Sequence, residues 1–183
     1  EIGHYDVELV ASNDAGSGTL RQDHYISIIS NTIVSNVSED FEDPGIALQN
    51  WLVYNPDDDR TFEYADYSAY GIGSKSIFFD NFSADGDLLE KWDALITPKF
   101  DLTSFSNPNI SFDHAYAVFE SSGEDISRGD TLTIMYSTDC GESFIPLWSK
   151  GGDKLATAPP ADSAFEPDND EWESTQISLA DLT

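Results

Sequence analysis

Carboxylates are the residues of this chain best suited to chemistry, and they come in groups. Asp40, Glu42 and Asp43 precede a turn, Asp57, Asp58 and Asp59 follow Pro56, Asp80 and Asn81 end an aromatic run, and Asp85 and Asp87 flank Gly86. A hard cation such as Ca2+ takes about six to eight oxygens from carboxylates, amides and backbone carbonyls. Acidic loops converging on one rim of a β-structure can supply them. The same residues are also ordinary turn material, because Asp hydrogen-bonds its own backbone. No spacing fits an EF-hand, since the Asp-x-Asp-x-Asp-Gly frame with a distal Glu is absent.

Other chemistry is poorly represented. His4, His24 and His114 are scattered, and no His-Glu-x-x-His pair occurs. His114, in Phe112-Asp113-His114-Ala115, reads as a packed strand residue. Cys140, between Asp139 and Gly141, has no basic neighbours to activate a thiol and reads as a turn or packing residue. Paired carboxylates for glycoside hydrolysis carry no weight where acids are so abundant. The chain is therefore expected to be no enzyme. Aromatics offer a binding reading: Tyr64, Tyr67 and Tyr70 form the best candidate for an exposed aromatic loop, able to stack on sugars as in jelly-roll lectins. Tryptophans of a β-sandwich more often fill its core or cover its ends, and Trp51 and Trp148 read as core.

Composition sets the limits. The 183 residues carry 35 acidic against 8 basic side chains, a net charge of −27. Such a surface repels a phosphate backbone and anionic lipid, so nucleic-acid and membrane-surface partners are not expected. Hydrophobic content of 39%, with 13% aromatics, is enough for a packed core. Cys140 is the single cysteine, which excludes an internal disulfide framework. No stretch approaches the ~18 apolar residues of a membrane span. The start shows no signal-peptide pattern. Because it opens in mid-pattern, the chain is expected to be a fragment of a longer protein.

The elements that must position these groups are strands. Tyr5, Val7, Leu9 and Ala11 alternate with polar residues, Asn13 to Gly18 turns, and Thr19 to Ile29 returns, so residues 1–30 read as a hairpin. The polar, β-branched stretch from Asn31 holds the boundary, with 31–36 as linker, although it can equally open the next domain. Residues 37–183 read as β throughout, with strands near 52–55, 62–65, 76–82, 94–97, 109–119, 130–137, 143–149 and 173–179. Many short strands at such spacing indicate an all-β sandwich or jelly roll. Residues 156–171, with Pro159, Pro160 and Pro167, read as an ordered irregular loop. In Tyr136-Ser137-Thr138-Asp139-Cys140-Gly141, Asp139 is expected to bond the backbone ahead of it and Gly141 to take a positive φ.

Two resemblances follow from the wording of these segments. Gly3 to Leu9, Ser12 to Ser17 and Tyr25 to Ile28 resemble the last two strands of a PKD domain, an immunoglobulin-like sandwich of extracellular proteins. The ordered series Asp40-Phe41-Glu42-Asp43, Trp51-Leu52-Val53, Asn55 to Phe62, Asp93 to Leu102, Ile110 to Ala115, Tyr136 to Gly141 and Trp172-Glu173 resembles the choice-of-anchor J and cleaved-adhesin domains. Those are MAM-like jelly rolls of Bacteroidetes surface and secreted proteins, and the resemblance implies that 37–183 lacks its last strands. It also implies a structural Ca2+, with Glu42, Asp57, Asp59 and Asp80 as ligands. Asp130-Thr131-Leu132 and Asp162-Ser163-Ala164 match the Asp-Ser/Thr-apolar O-glycosylation sequon of that group, at Thr131 and, on a more exposed loop, Ser163. The implied function is non-catalytic adhesion, binding or spacing in an extracellular or outer-surface protein, a type IX secretion cargo. Its partners would be a surface carbohydrate or protein, and secretion machinery. The rival readings are the accessory region of a secreted zinc metalloprotease and a carbohydrate-binding module.

Overall fold

The computed structural model describes residues 2–30, 33–34, 37–43, 51–57, 59–82, 92–120 and 127–182. Among them every regular element is a strand or a single 3-10 turn. In chain order the strands are β1 (Gly3–Asn13), β2 (Gly16–Ile28), β3 (Ile33–Val34), β4 (Leu52–Tyr54), β5 (Phe62–Ala65), β6 (Ser76–Phe79) and β7 (Ala94–Ile96). There follow β8 (Lys99–Phe100), β9 (Asn109–His114), β10 (Phe119–Glu120), β11 (Ser127–Arg128), β12 (Thr131–Tyr136), β13 (Ile145–Gly151) and β14 (Glu173–Ser178). The chain is all-β, as its alternation and turn chemistry imply. The strands join in pairs: β1–β2, β3–β8, β4–β7, β5–β6, β9–β14, β10–β11 and β12–β13. Among the described residues no helix is long and apolar enough to cross a membrane.

The chain divides into two compact units that interleave in sequence. One comprises Glu1–Tyr64, Ile77–Phe79 and Gly86–Asp101, the other Ala65–Ser76, Asp80–Asp85 and Leu102–Thr183. Strand pairing is set by register rather than chain order, so neighbouring stretches can enter different units.

In the first unit the β1–β2 hairpin turns over Asp14 and Ala15, with Asn13 Oδ1 accepting a hydrogen bond from the Ala15 amide at 2.8 Å. Its register pairs Tyr5 with Ile26, Val7 with Gln22, Leu9 with Leu20 and Ala11 with Gly18. Opposed residues share a face, so one face is apolar and the other holds Glu8 opposite Arg21 and Val10 opposite Thr19. Leu9 and Leu20, at 62% and 61% exposure, leave that apolar face open. The root of the hairpin is tied: the His4 ring lies 5.3 Å from Tyr54 and its Nε2 is 3.3 Å from the Val53 carbonyl. Leu52 is the buried residue of β4, which runs antiparallel to β7 with Tyr54 opposite Ala94. Phe62 of β5 meets Phe79 of β6 edge to face at 5.3 Å.

The second unit is built on β9–β14 and β12–β13. Antiparallel register sets His114 opposite Glu173, Phe112 opposite Thr175 and Ile110 opposite Ile177. His114, Thr175 and Ile177 are buried, while Asp113, Ser174 and Gln176 point outward, the alternation a half-buried strand requires. Trp148 of β13 caps the inner face, edge to face with Phe112 at 5.5 Å and His114 at 6.1 Å. The irregular stretch 156–171 is tied down by backbone, as its composition suggested. The Thr157 amide donates to the Tyr116 carbonyl and the Ala161 amide to that of Val118, both at 2.9 Å.

The entry to β12 is a tight crossing. A Cβ on Gly129 would come within 2.7 Å of Gly152 Cα, so only glycine fits there. Beside it the Asp130 amide donates to Tyr116 Oη at 2.7 Å, and that hydroxyl donates to Asp130 Oδ2 at 3.2 Å. Burial, with the Asp130 carboxylate alongside, pushes the Tyr116 phenol up to about 12. Tyr116→Phe leaves the exposed Asp130 amide without this acceptor, and is expected to cost about 0.5–1.5 kcal/mol. Urea unfolding would read it as a lower midpoint at constant m, and an unchanged midpoint would show the bracket to be dispensable.

Candidate functional site

The acidic loop between β4 and β5 is shaped by its own side chains. Asn55 Nδ2 donates to the Asp59 carbonyl at 2.8 Å, and the Asp59 amide donates to Asp57 Oδ1 at 3.3 Å. The pairing of Tyr54 with Ala94 brings Asp93, just before β7, beside this loop. Asn55 Oδ1, Thr61 Oγ1 and Asp93 Oδ2 are buried and make no well-formed hydrogen bond among the described residues. Burial pushes the Asp93 carboxyl above its ordinary range; the nearby Thr61 hydroxyl opposes this, and the charges of Asp57 and Asp59 add to it. The first unit thus holds inward-facing oxygens of three chemical types next to two loop carboxylates.

Glu42 lies in a turn of the same unit, where its amide donates to Asp40 Oδ1 at 3.1 Å. Asp80 belongs to the second unit, where its charge acts on Tyr67. Of the expected ligands, Glu42, Asp57 and Asp59 thus lie in the first unit and Asp80 in the second. Among the described residues, no group of three or more His, Cys, Asp or Glu side chains is placed to hold a metal ion. Asp58, Asp85 and Asp87 lie outside the described residues. Asp93, which sequence reasoning passed over as the start of a strand, is the carboxylate that points inward.

The three tyrosines separate. Tyr64, in β5, is half-buried, and burial raises its pKa, with Glu39 and Asp43 adding to the effect. Tyr67 is half-buried too, raised by burial and by Glu166 and Asp80. Tyr70 is 42% exposed and donates from its hydroxyl to Ser174 Oγ at 3.3 Å. Trp51 is half-buried and meets Phe41 at 5.9 Å, whereas Trp92 is largely exposed. Thr131 opens β12 opposite Gly151 with its side chain exposed. Ser163 is exposed in the irregular loop.

The Ser137–Ser143 turn closes as its residues suggest. Asp139 accepts from the Ser143 amide at 3.0 Å and from the Ser143 and Ser137 hydroxyls, which together hold its carboxyl far below the ordinary range. Gly141 has φ 89° and Cys140 φ 63°, with the thiol exposed.

No known family, curated protein or solved structure matches this chain. What fold and side chains define is an all-β protein with an acidic loop carrying inward oxygens and an open polar sheet face.

His114 is a buried titratable group of the second unit, 7% exposed, with no well-formed hydrogen bond to either ring nitrogen among the described residues. Burial lowers its pKa below 6.5, against the opposing pull of Glu173 and with help from Lys150. The unfolded chain then binds this proton more readily than the folded one, so stability falls as pH drops through 6.5. Between about pH 7.5 and about pH 5.5 the Tm of the protein is expected to fall more than that of His114→Phe. Parallel falls would mean that His114 titrates as an exposed residue does.

Proposed function

We propose that this chain is a non-catalytic adhesion, binding or spacer region of a secreted or surface-anchored bacterial protein. It combines a PKD-like terminal hairpin with a jelly roll of the choice-of-anchor type, carried as a type IX secretion cargo. Its partners are a carbohydrate or protein on a surface, and the secretion machinery during export. The observation that carries this reading is the β1–β2 hairpin, whose one apolar face stands open ahead of an otherwise all-β, strongly acidic chain. A sheet face of that kind suits the end strands of a sandwich, because an isolated hairpin is marginal in water. An acidic surface suits the extracellular setting. Exposed Ser163 and Thr131 are compatible with O-glycosylation there. Antibody raised against this chain should stain intact cells that produce it or detect it in their medium; detection only after lysis would exclude both locations.

Structural calcium belongs to the same reading, with a donor set that differs from the sequence expectation. Unpartnered buried oxygens are costly unless something satisfies them. An all-oxygen set of amide, hydroxyl and carboxylate is what a hard cation takes. Asn55, Thr61 and Asp93 would hold the ion, and Asp57 and Asp59 of the adjoining loop would supply charge. Bound there, the cation would offset the like charges and stiffen the β4–β5 loop. Calcium at about a hundred times its dissociation constant adds about 2.7 kcal/mol to the folded state. Melting with calcium against chelator should therefore separate by several degrees, and Asp93→Asn should abolish the difference. Coincident melts of the unaltered protein would eliminate the site.

A carbohydrate-binding module is favoured as a second reading by the exposure of Tyr70 beside polar strand residues.

A further inference from the structure

We infer that the outward face of the β9–β14 pair, closed at one end by Tyr70, is a binding surface for neutral polysaccharide. The inference rests on the carbohydrate reading above and gives it a location. Register places Asp113 opposite Ser174, Ser111 opposite Gln176 and Asn109 opposite Ser178 on one face, all exposed. These side chains are cross-linked over the strands. Ser174 Oγ donates to Asp113 Oδ1, and Gln176 Nε2 donates to Asn109 Oδ1 at 3.1 Å. Each bond fixes a side chain that would otherwise rotate in water, so the carboxylate and carboxamides form a preset row of hydrogen-bonding groups. Preset donors and acceptors lose less entropy when a ligand arrives.

Tyr70 is held at that row by its backbone. It has φ 55° and ψ 18°, a left-handed conformation that is a genuine outlier for a bulky residue. Gly71 follows at φ 67°, and a Cβ there would meet Asn169 Nδ2 at 2.9 Å. Backbone strain of this sort gathers at ligand clamps, where surrounding structure maintains it. Here its effect is to lay the phenol toward Ser174 while the side chain stays 42% exposed. An aromatic ring beside carboxylate, carboxamide and hydroxyl groups is the chemistry that recognises a pyranose. The ring packs on the C–H face of the sugar, and the polar row bonds its hydroxyls.

Charge selects the class of sugar. A net charge of −27 opposes uronic acids and sulfated glycans, and Asp113 lies within the face itself. Anionic chains are therefore excluded, and of the rest an uncharged one suits a row of hydroxyl-bonding groups beside an aromatic ring.

Affinity electrophoresis of the whole chain tests this, with galactomannan, xyloglucan, mixed-linkage β-glucan and yeast mannan in the gel and alginate as the acidic control. At least one neutral polymer should retard the protein, and alginate should not. Tyr70→Ala and Gln176→Ala should each weaken the retardation about tenfold, the loss of one stacking or bonding contact. Trp92→Ala, an exposed aromatic of the first unit that takes no part in the row, should leave it unchanged. Melting of each variant separates loss of binding from loss of fold, and Gln176→Ala serves where Tyr70→Ala is destabilised. Retardation that survives both substitutions would keep the carbohydrate reading and overturn this face. If alginate retards the protein as strongly as a neutral polymer, the charge argument is wrong and the proposal falls with it. If no polymer retards the unaltered protein, the carbohydrate reading and this face fall together.

Discussion

The second unit depends on one pairing: β9 against β14, six residues long and closed by segments far apart in sequence. The two-residue period of a strand means that this single register decides both faces at once. With Phe112 opposite Thr175, His114 and Ile177 must point inward, and Asp113, Ser174 and Gln176 outward. A slip of one residue would bury Asp113 and expose His114 and Phe112. The aromatic cap of Trp148, the buried imidazole and the polar outer row all follow from the same alignment.

Acidic side chains make both ion pairs and short-range bonds to backbone amides. Arg21 reaches Asp6 and Asp23, Lys75 reaches Asp66, and Lys150 reaches Glu173 while lying 5.4 Å over the Trp148 ring. These pairs are solvent-exposed and contribute little to stability. Several carboxylates also accept backbone amides two to four residues ahead. Asp40 takes the Glu42 amide, Asp57 that of Asp59 and Asp139 that of Ser143. Asp is thus a turn-former at these three positions. Asp93 departs from this pattern, because it sits at a strand start with one oxygen turned inward and no amide to meet it.

That contrast governs how much of the site was legible. The Asn55–Thr61 loop could be read from the sequence because turn chemistry acts over a few residues. Asp93 could not, because only the β4–β7 register brings it to the loop. The tyrosines show the same division. Their clustering is a sequence fact, but which one faces solvent depends on the left-handed backbone at Tyr70, a conformation its residue type disfavours. The ligands implied by the resemblance divide between the two compact units, Glu42, Asp57 and Asp59 in the first and Asp80 in the second.

By itself the sequence determined the all-β class, the positions of the longer strands and the form of the Ser137–Ser143 turn. Alternation and hydrogen bonds between near neighbours are local properties, present before any tertiary contact forms. Tertiary structure alone decided which strands pair, and so the short strands β3, β8, β10 and β11, too brief to leave a periodic signal. It also decided that His114 is buried against the Trp148 and Phe112 rings, that Asp93 turns toward the acidic loop, and that Tyr70 closes the outer face of β9–β14. Each of these is a consequence of register between distant segments, and register is selected by the burial of whole faces rather than by any residue within them.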